Sequence, residues 1–428
     1  MQQSNITLRI LFICLISLVI LSGFTFYNGV LSKLDEDMRQ RSISILVRLT
    51  AFFVVETAFI LFLIHNKTLK GNLPSGKQTA LILALIILNG TLIRLFLAYY
   101  CFGNYDMHSY QLVSDIVSKG GNVYAETDRY NYSPVWFTLL GVFSKIHGHL
   151  SILPFHFIVK SLITGIDLLT LTFLLLIARI EGASLIKISV FYYLNPISFL
   201  LTGYHGQFEN LAVLMVVIGI FCYLKLKNNP PGGKTLLWIF MTLGLIIKHN
   251  VFYELIIGLH AAFKRCSIKI LLLSVSLILF LSLFIPYWET GKTGILQNVF
   301  GYSGMNEVNY GMAYIAYHWF PQLKYMFIAG MCIFPFLLKR EDIISRCLLG
   351  FLFFVTFCTG MSIQYFVLPI ALGSLRPTKG FLLYSLVGSL VILGNENNLN
   401  IPLFNVFFLN TLWIGAIYWF SLELWKKI

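Results

Sequence analysis

The sequence predicts an all-α polytopic membrane protein, a bundle of about 12–14 transmembrane helices with an outer loop that carries an amphipathic helix. Three observations predict it. Of 428 residues, 57% are apolar and only 11% are charged, far fewer than the roughly one quarter of soluble domains. Runs of about 20 apolar residues, enough to cross the hydrocarbon, recur along nearly the whole chain. Lysine and arginine gather in the short segments between those runs, where they act as topology signals. The net charge of +13 therefore gives no support to nucleic-acid binding.

Taken in order, crossings are expected at 7–27, 45–64, 79–101, 155–178, 187–203, 211–226, 235–247, 251–263, 267–287, 322–338, 347–361, 365–375, 380–394 and 401–421. The first run is long for a signal-peptide core and lacks a small-residue cleavage site, so it reads as a helix. With the N-terminus inside, most of the 31 basic residues fall in cytoplasmic loops, Arg179, Lys187, Arg376 and Lys379 among them. Thr235 to Phe263 looks like one helix, but a single crossing would strand Lys264, Arg265 and Lys269 outside. Splitting it at Lys248-His249-Asn250 restores the charge rule and puts that triplet on the outer face. Pro134 to Ile146 is short and reads as a surface helix, with a true crossing of inverted charge bias as the alternative. The chain divides into a two-helix segment over 1–70, a module over 71–320 and terminal helices over 321–428. Seven cysteines show no CxxC or Cys/His spacing and read as small core residues.

This topology sends five polar segments outward. The longest is residues 103 to 136. Within it, Tyr110 to Val117 has helical apolar spacing, Gly120-Gly121 stops the helix, and Tyr130 to Pro134 returns the chain to lipid. Asp106 lies just beyond a spanning helix, where a carboxylate takes a proton from a hydroxyl beside a lipid-borne substrate. The competing reading is a solvated loop acid, even with His108, Asp115, Arg129 and Tyr132 nearby. Tyr204 to Asn210 packs His205, Gln207, Glu209 and Asn210 at a helix mouth, as a binding set or as anchors for helix ends. Lys248, beside His249, either snorkels or meets an anion such as phosphate. The outer loop 288–321 holds Tyr302, Asn306, Glu307 and Tyr310, and a hairpin tip holds Gln364 and Tyr365. No nucleotide-binding motif occurs, so an activated substrate would arrive from the lipid or from outside.

The segment YDMHSYQLVSDIVSKGGNVYAETDRYNYSPVW resembles the first outer loop of GT-C membrane glycosyltransferases, in particular the GPI first mannosyltransferases and the dolichyl-phosphate-glucose-dependent glucosyltransferases. HGQFEN and LGLIIKHNVFYELI resemble glucosyltransferase elements, though the residue order of the first differs. SIQYFVLPI resembles the Gln-Tyr-Phe element of the mannosyltransferases. The resemblance runs from about residue 79 onward. It implies a GT-C-like bundle in which Asp106 is the general base, Lys248 lies near the donor phosphate, and His205, Gln207 and Glu209 line the site. His108 stands where some relatives have a second acid.

The expected activity is inverting transfer of a hexose, mannose or glucose, from a polyprenyl phosphate to a glycan or glycolipid hydroxyl on the extracytoplasmic face. Arg129, Tyr132, His249, Gln364 and Tyr365 join the expected substrate contacts. The donor is the lipid-phosphate sugar and no cofactor is expected. A divalent ion is compatible with the acidic loop, but no ligand spacing calls for one. Short loops fit a bacterial inner membrane better than an endoplasmic reticulum. The rivals are a flippase of lipid-linked saccharides, whose polar path would rest on Glu56, Arg94, Lys160 and Asp167, and a surface-glycan polymerase or ligase.

Overall fold

The structure, a computed structural model, describes residues 76–301, 310–338, 342–394 and 402–425. The crossings expected at 7–27 and 45–64 lie outside the described residues, as do Glu56, Tyr302, Asn306 and Glu307. Within them, all regular structure is helical, and the chain is an all-α polytopic membrane protein.

A helix occupies every expected crossing that falls in these residues. The first, α1, is Gly76–Tyr100. Next come α2, Tyr105–Ser118, and α3, Pro134–His149. Asn104 caps α2 by accepting from the Asp106 amide, and Gly120 takes the left-handed conformation just past its end. Then follow α4, Phe155–Glu181, ended by left-handed Gly182, and the bent pair α5, Leu185–Tyr193, and α6, Pro196–His205. The expected single crossing at 187–203 is therefore broken, by 46°. The cause is local: Pro196 starts a new helix, and Asn195 caps it by accepting from Ile197 N.

Helices α7, Glu209–Lys225, and α8, Pro230–Ile247, form the centre with α4. Lys248 adopts extended backbone, a single 3-10 turn follows, and α9, Phe252–Ala262, turns back. The split expected from the charge rule is thus where the backbone breaks. A long helical stretch, α10, Cys266–Phe300, runs well past the crossing expected at 267–287. The remainder comprises α11, Gly311–His318, α12, Leu323–Leu337, α13, Ile343–Phe357, α14, Ile363–Leu375, α15, Lys379–Gly394, and α16, Pro402–Trp425. Among the described residues, five helices, or six if the bent pair is taken as one span, are long and apolar enough to cross a membrane. Helices α12 to α15 are shorter.

Inside the bundle, α1 and α4 are locked by Arg94 and Asp167, both fully buried and paired at 2.9 Å. Asp167 also accepts from Tyr192 (3.2 Å), Ser198 (3.3 Å), Thr202 (2.7 Å) and Asn210 (2.6 Å). Arg94 donates further to the carbonyls of Gly90 and Tyr193 and to Ser198 Oγ. Each charge is surrounded by partners, as a membrane interior demands. At the inner end, Arg376 bridges Glu181 (2.9 Å) and Asp342 (2.7 Å), the residue that caps α13. Glu254 of α9, fully buried, fits the notch left by Gly350, where an added Cβ would come within 2.6 Å of its Oε1. Cys101, Cys347 and Cys358 are core residues as expected, but Cys266 and Cys332 are exposed on the bundle's outside.

Candidate functional site

Two backbone turns meet where α1, α4, α6 and α7 come together at one end of the bundle. Gly103 and Gly206 both have positive φ, at 111° and 74°. A Cβ on Gly103 would come within 3.1 Å of the Tyr204 carbonyl, and one on Gly206 within 2.5 Å of Met107 Cε. Beneath them, fully buried Lys160 donates to the Cys101 carbonyl at 2.6 Å. Glycine and one buried ammonium thus let the segment after α1 sit directly on the α6–α7 turn.

That contact aligns the polar side chains. Asp106 lies in the first turn of α2, where free amides favour a carboxylate, and is part-buried. Gln207, 1% exposed, donates its amide to Asp106 Oδ2 at 2.5 Å and accepts from the Tyr110 hydroxyl at 3.3 Å. A carboxylate only accepts, so this fixes which way the Gln207 amide faces. Asp106 and Tyr110, four residues apart, share one face of α2. Asn104 Nδ2 lies 3.1 Å from His205 Nδ1; the amide donates, so Nδ1 is the unprotonated nitrogen.

The second half of the cluster is an ion pair. Lys248 donates to Glu209 Oε1, and both residues are buried. The ammonium also sits 4.4 Å from the centre of the Phe208 ring and 4.6 Å from that of Tyr132. Trp136 stacks on the far side of Phe208 at 4.1 Å. Glu209 Oε2 is buried with no hydrogen-bond partner. Asp106 lies within electrostatic range of both Glu209 and Lys248. Burial, with Tyr110, Asp106, Glu209 and Tyr365 around it, pushes the Tyr132 phenol well above its ordinary range, so it stays protonated.

The loop between α2 and α3 covers this cluster and is itself tied down. Tyr124 donates to the Tyr132 carbonyl at 2.8 Å, Tyr130 to that of Ser133 at 2.6 Å, and Ser133 to that of Ile246 at 2.5 Å. Asn122 reaches α10 through the Tyr287 carbonyl (3.0 Å) and Thr290 Oγ1 (2.6 Å).

The structure thus gathers Asp106, Tyr132, His205, Gln207, Glu209 and Lys248. Lys248 does not snorkel; Glu209 holds it. The Tyr204–Asn210 segment is not a surface anchor either, since every residue in it is buried. Tyr365 joins from α14 through its proximity to Tyr132, with its ring 5.3 Å from Phe354. Gln364, buried, accepts from Ser362 Oγ. His249 and Asn250 are half-buried beside Lys248, and His249 Nδ1 and both amide atoms of Asn250 have no hydrogen-bond partner.

Two expected residues face elsewhere. His108 is two positions past Asp106, hence on the opposite side of α2, and packs on Phe102 at 4.3 Å. Arg129 donates to Tyr105 OH at 2.7 Å with its guanidinium over that ring, and Tyr105 is 66% exposed. Tyr310 is buried against the Val355 carbonyl. Asn104, Tyr110, Phe208, Trp136 and Lys160 belong to the assembly and were not expected there. The i, i+4 spacing of Asp106 and Tyr110, and the place of Asn104 just before a helix, were the readable signals. Among the described residues, no three His, Cys, Asp or Glu side chains gather as a metal-binding group.

The geometry therefore defines a polytopic membrane protein with a cluster of one part-exposed carboxylate and one buried ion pair. No known protein-family model matches the chain, and no curated protein matches it.

Proposed function

We propose that the protein is an inverting glycosyltransferase of the GT-C kind, moving a hexose from a polyprenyl phosphate to an acceptor hydroxyl on the extracytoplasmic face. One observation carries this reading: Asp106, part-exposed and oriented by Gln207, stands within electrostatic range of the buried Lys248–Glu209 pair. In this reading Asp106 is the base for the attacking hydroxyl and Lys248 the cation for the departing phosphate.

In the proposed reaction the acceptor oxygen attacks the anomeric carbon while Asp106 takes its proton. The bond from that carbon to the phosphate oxygen breaks, and polyprenyl phosphate leaves with the electron pair. The transition state resembles an oxocarbenium ion, which the Asp106 carboxylate stabilises. Lys248, with His249 beside it, receives the phosphate. The bacterial plasma membrane is the setting this reading favours.

Translocation fits less well. Arg94, Asp167 and Lys160, three of the ionisable residues a polar path would use, are engaged in closed internal bonds. The deciding experiment incubates purified protein with labelled polyprenyl-phosphate hexose and a glycolipid acceptor. Transfer is expected from the natural chain and not from Asp106→Asn. Undiminished transfer by Asp106→Asn would refute the mechanism, and lipid movement without transfer would favour a flippase.

A further inference from the structure

Lys248 is not a vacant cation. Glu209 already occupies it, and its remaining close neighbours, the Phe208 and Tyr132 rings, stabilise an ammonium without neutralising it. With Asp106 in range, the cluster holds two carboxylates against one ammonium. A phosphate arriving there adds a further negative charge to a buried site, which is strongly unfavourable unless one leaves. Asp106 is part-exposed and held by Gln207. Glu209 is fully buried, and its Oε2 has no partner. The two carboxylates are therefore unequal.

We propose, on the basis of the transfer reading above, that Lys248 passes from Glu209 to the phosphate of an incoming polyprenyl phosphodiester, Glu209 taking up one proton from the outer solution as it does so. The Lys248–Glu209 pair opens, an ammonium–phosphate pair forms, and the solvent proton ends on the Glu209 carboxyl. No covalent bond to carbon or phosphorus changes. Glu209 is a positioning residue in this scheme, holding the lysine until the donor arrives.

The groups around Glu209 fit the exchange. Lys248 faces it from the end of α8, Asp106 and Tyr110 from α2, and Tyr132 from the loop before α3. On the α4 side, Asp167 is held by Arg94 and Asn210, and Lys160 by the Cys101 carbonyl. From α14, Tyr365 stands by Tyr132. Of these, Lys248 alone gives Glu209 a cationic hydrogen-bond partner, so removing it leaves a carboxylate that must take a proton.

The sign follows. Binding consumes one proton, so affinity weakens by up to about tenfold per pH unit as pH rises through the range where unliganded Glu209 is ionised. The test uses the full chain in nanodiscs and polyprenyl methyl phosphate, a diester with one charge throughout the range scanned. The dissociation constant of the natural chain is expected to rise with pH, while Glu209→Gln binds with a flat profile and more tightly at the alkaline end. Calorimetry of the natural chain in two buffers of different ionisation enthalpy should count close to one proton taken up. Should Glu209→Gln not fold, the double variant Glu209→Gln/Lys248→Met, which removes both charges, is expected to fold and lose binding. A flat profile in the natural chain, or zero proton uptake, overturns the exchange. Hexose transfer without proton uptake refutes the exchange alone, proton-linked binding without transfer refutes the enzyme reading alone, and no binding at any pH refutes both.

Discussion

The buried network around Asp167 and the outer cluster around Asp106 use the same chemistry to opposite ends. Asp167 accepts from five side chains, and its cation makes three further bonds. Every partner comes from a helix or helix end, so the network fastens α1, α4, α5, α6 and α7 at one point. Outside, Asp106 keeps partial exposure, and Glu209 leaves one oxygen without a partner. A satisfied charge holds a bundle together; an incompletely satisfied one is open to a ligand.

The comparison breaks most visibly at its structural pole. Asp167→Leu leaves Arg94 buried without its counter-ion, a loss of about 3–5 kcal/mol, and should yield little folded protein by size exclusion in detergent. At the other pole, Asp106→Asn should elute and melt like the natural chain yet lose about 100- to 10,000-fold in hexose transfer, the range for a removed general base. A variant that loses transfer and folding together would erase the distinction. Gly206→Ala tests the turn between the regions. Its left-handed backbone and the approach of Met107 predict about 1–2 kcal/mol of lost stability, read as a lower melting temperature. Tyr110→Phe removes only the hydroxyl that orients Gln207 and should slow transfer by a few-fold, about 0.5–1.5 kcal/mol.

The smallest effect belongs to the inner surface. Burial acts to raise the Asp342 carboxyl, but hydrogen bonds from Arg376 and Ser345 outweigh it and hold it below the ordinary range. A depressed carboxyl stabilises the fold above its unfolded value, about 3.9, and that increment disappears as pH falls through its folded value. A melting curve taken on acidification should show a slight decline, smaller in Arg376→Gln where only the Ser345 bonds remain, and slight because both side chains of the pair are more than a third exposed.

Much of the bundle was legible because lipid imposes length and charge rules on a chain. The break at Lys248 is the strongest case: Lys264, Arg265 and Lys269 required it before any geometry was known. The outer helix was readable from the spacing of Tyr110 to Val117, though it begins earlier, at Tyr105. Pairings were less legible. Lys248 and Glu209 lie 39 residues apart, and nothing local marks which acid meets which base. His108 looked equivalent to Asp106 because proximity along the chain hides the rotation of the helix between them. Arg94 and Asp167, opposite charges in mid-span, were noted as a thin polar path; the rule that buried charges find each other would have joined them. The bend at Asn195-Pro196 carried a plain proline signal inside a run too apolar to look interrupted.

The reach of α10 has one more consequence. Its 35 residues, Cys266–Phe300, make it long enough to cross a hydrocarbon layer and continue past it. Asn122 grips this stretch at Thr290, and Gly294 leaves no room for a side chain against the Tyr124 carbonyl. This helical stretch therefore serves as a mast, fixing the loop between α2 and α3 from within the polypeptide.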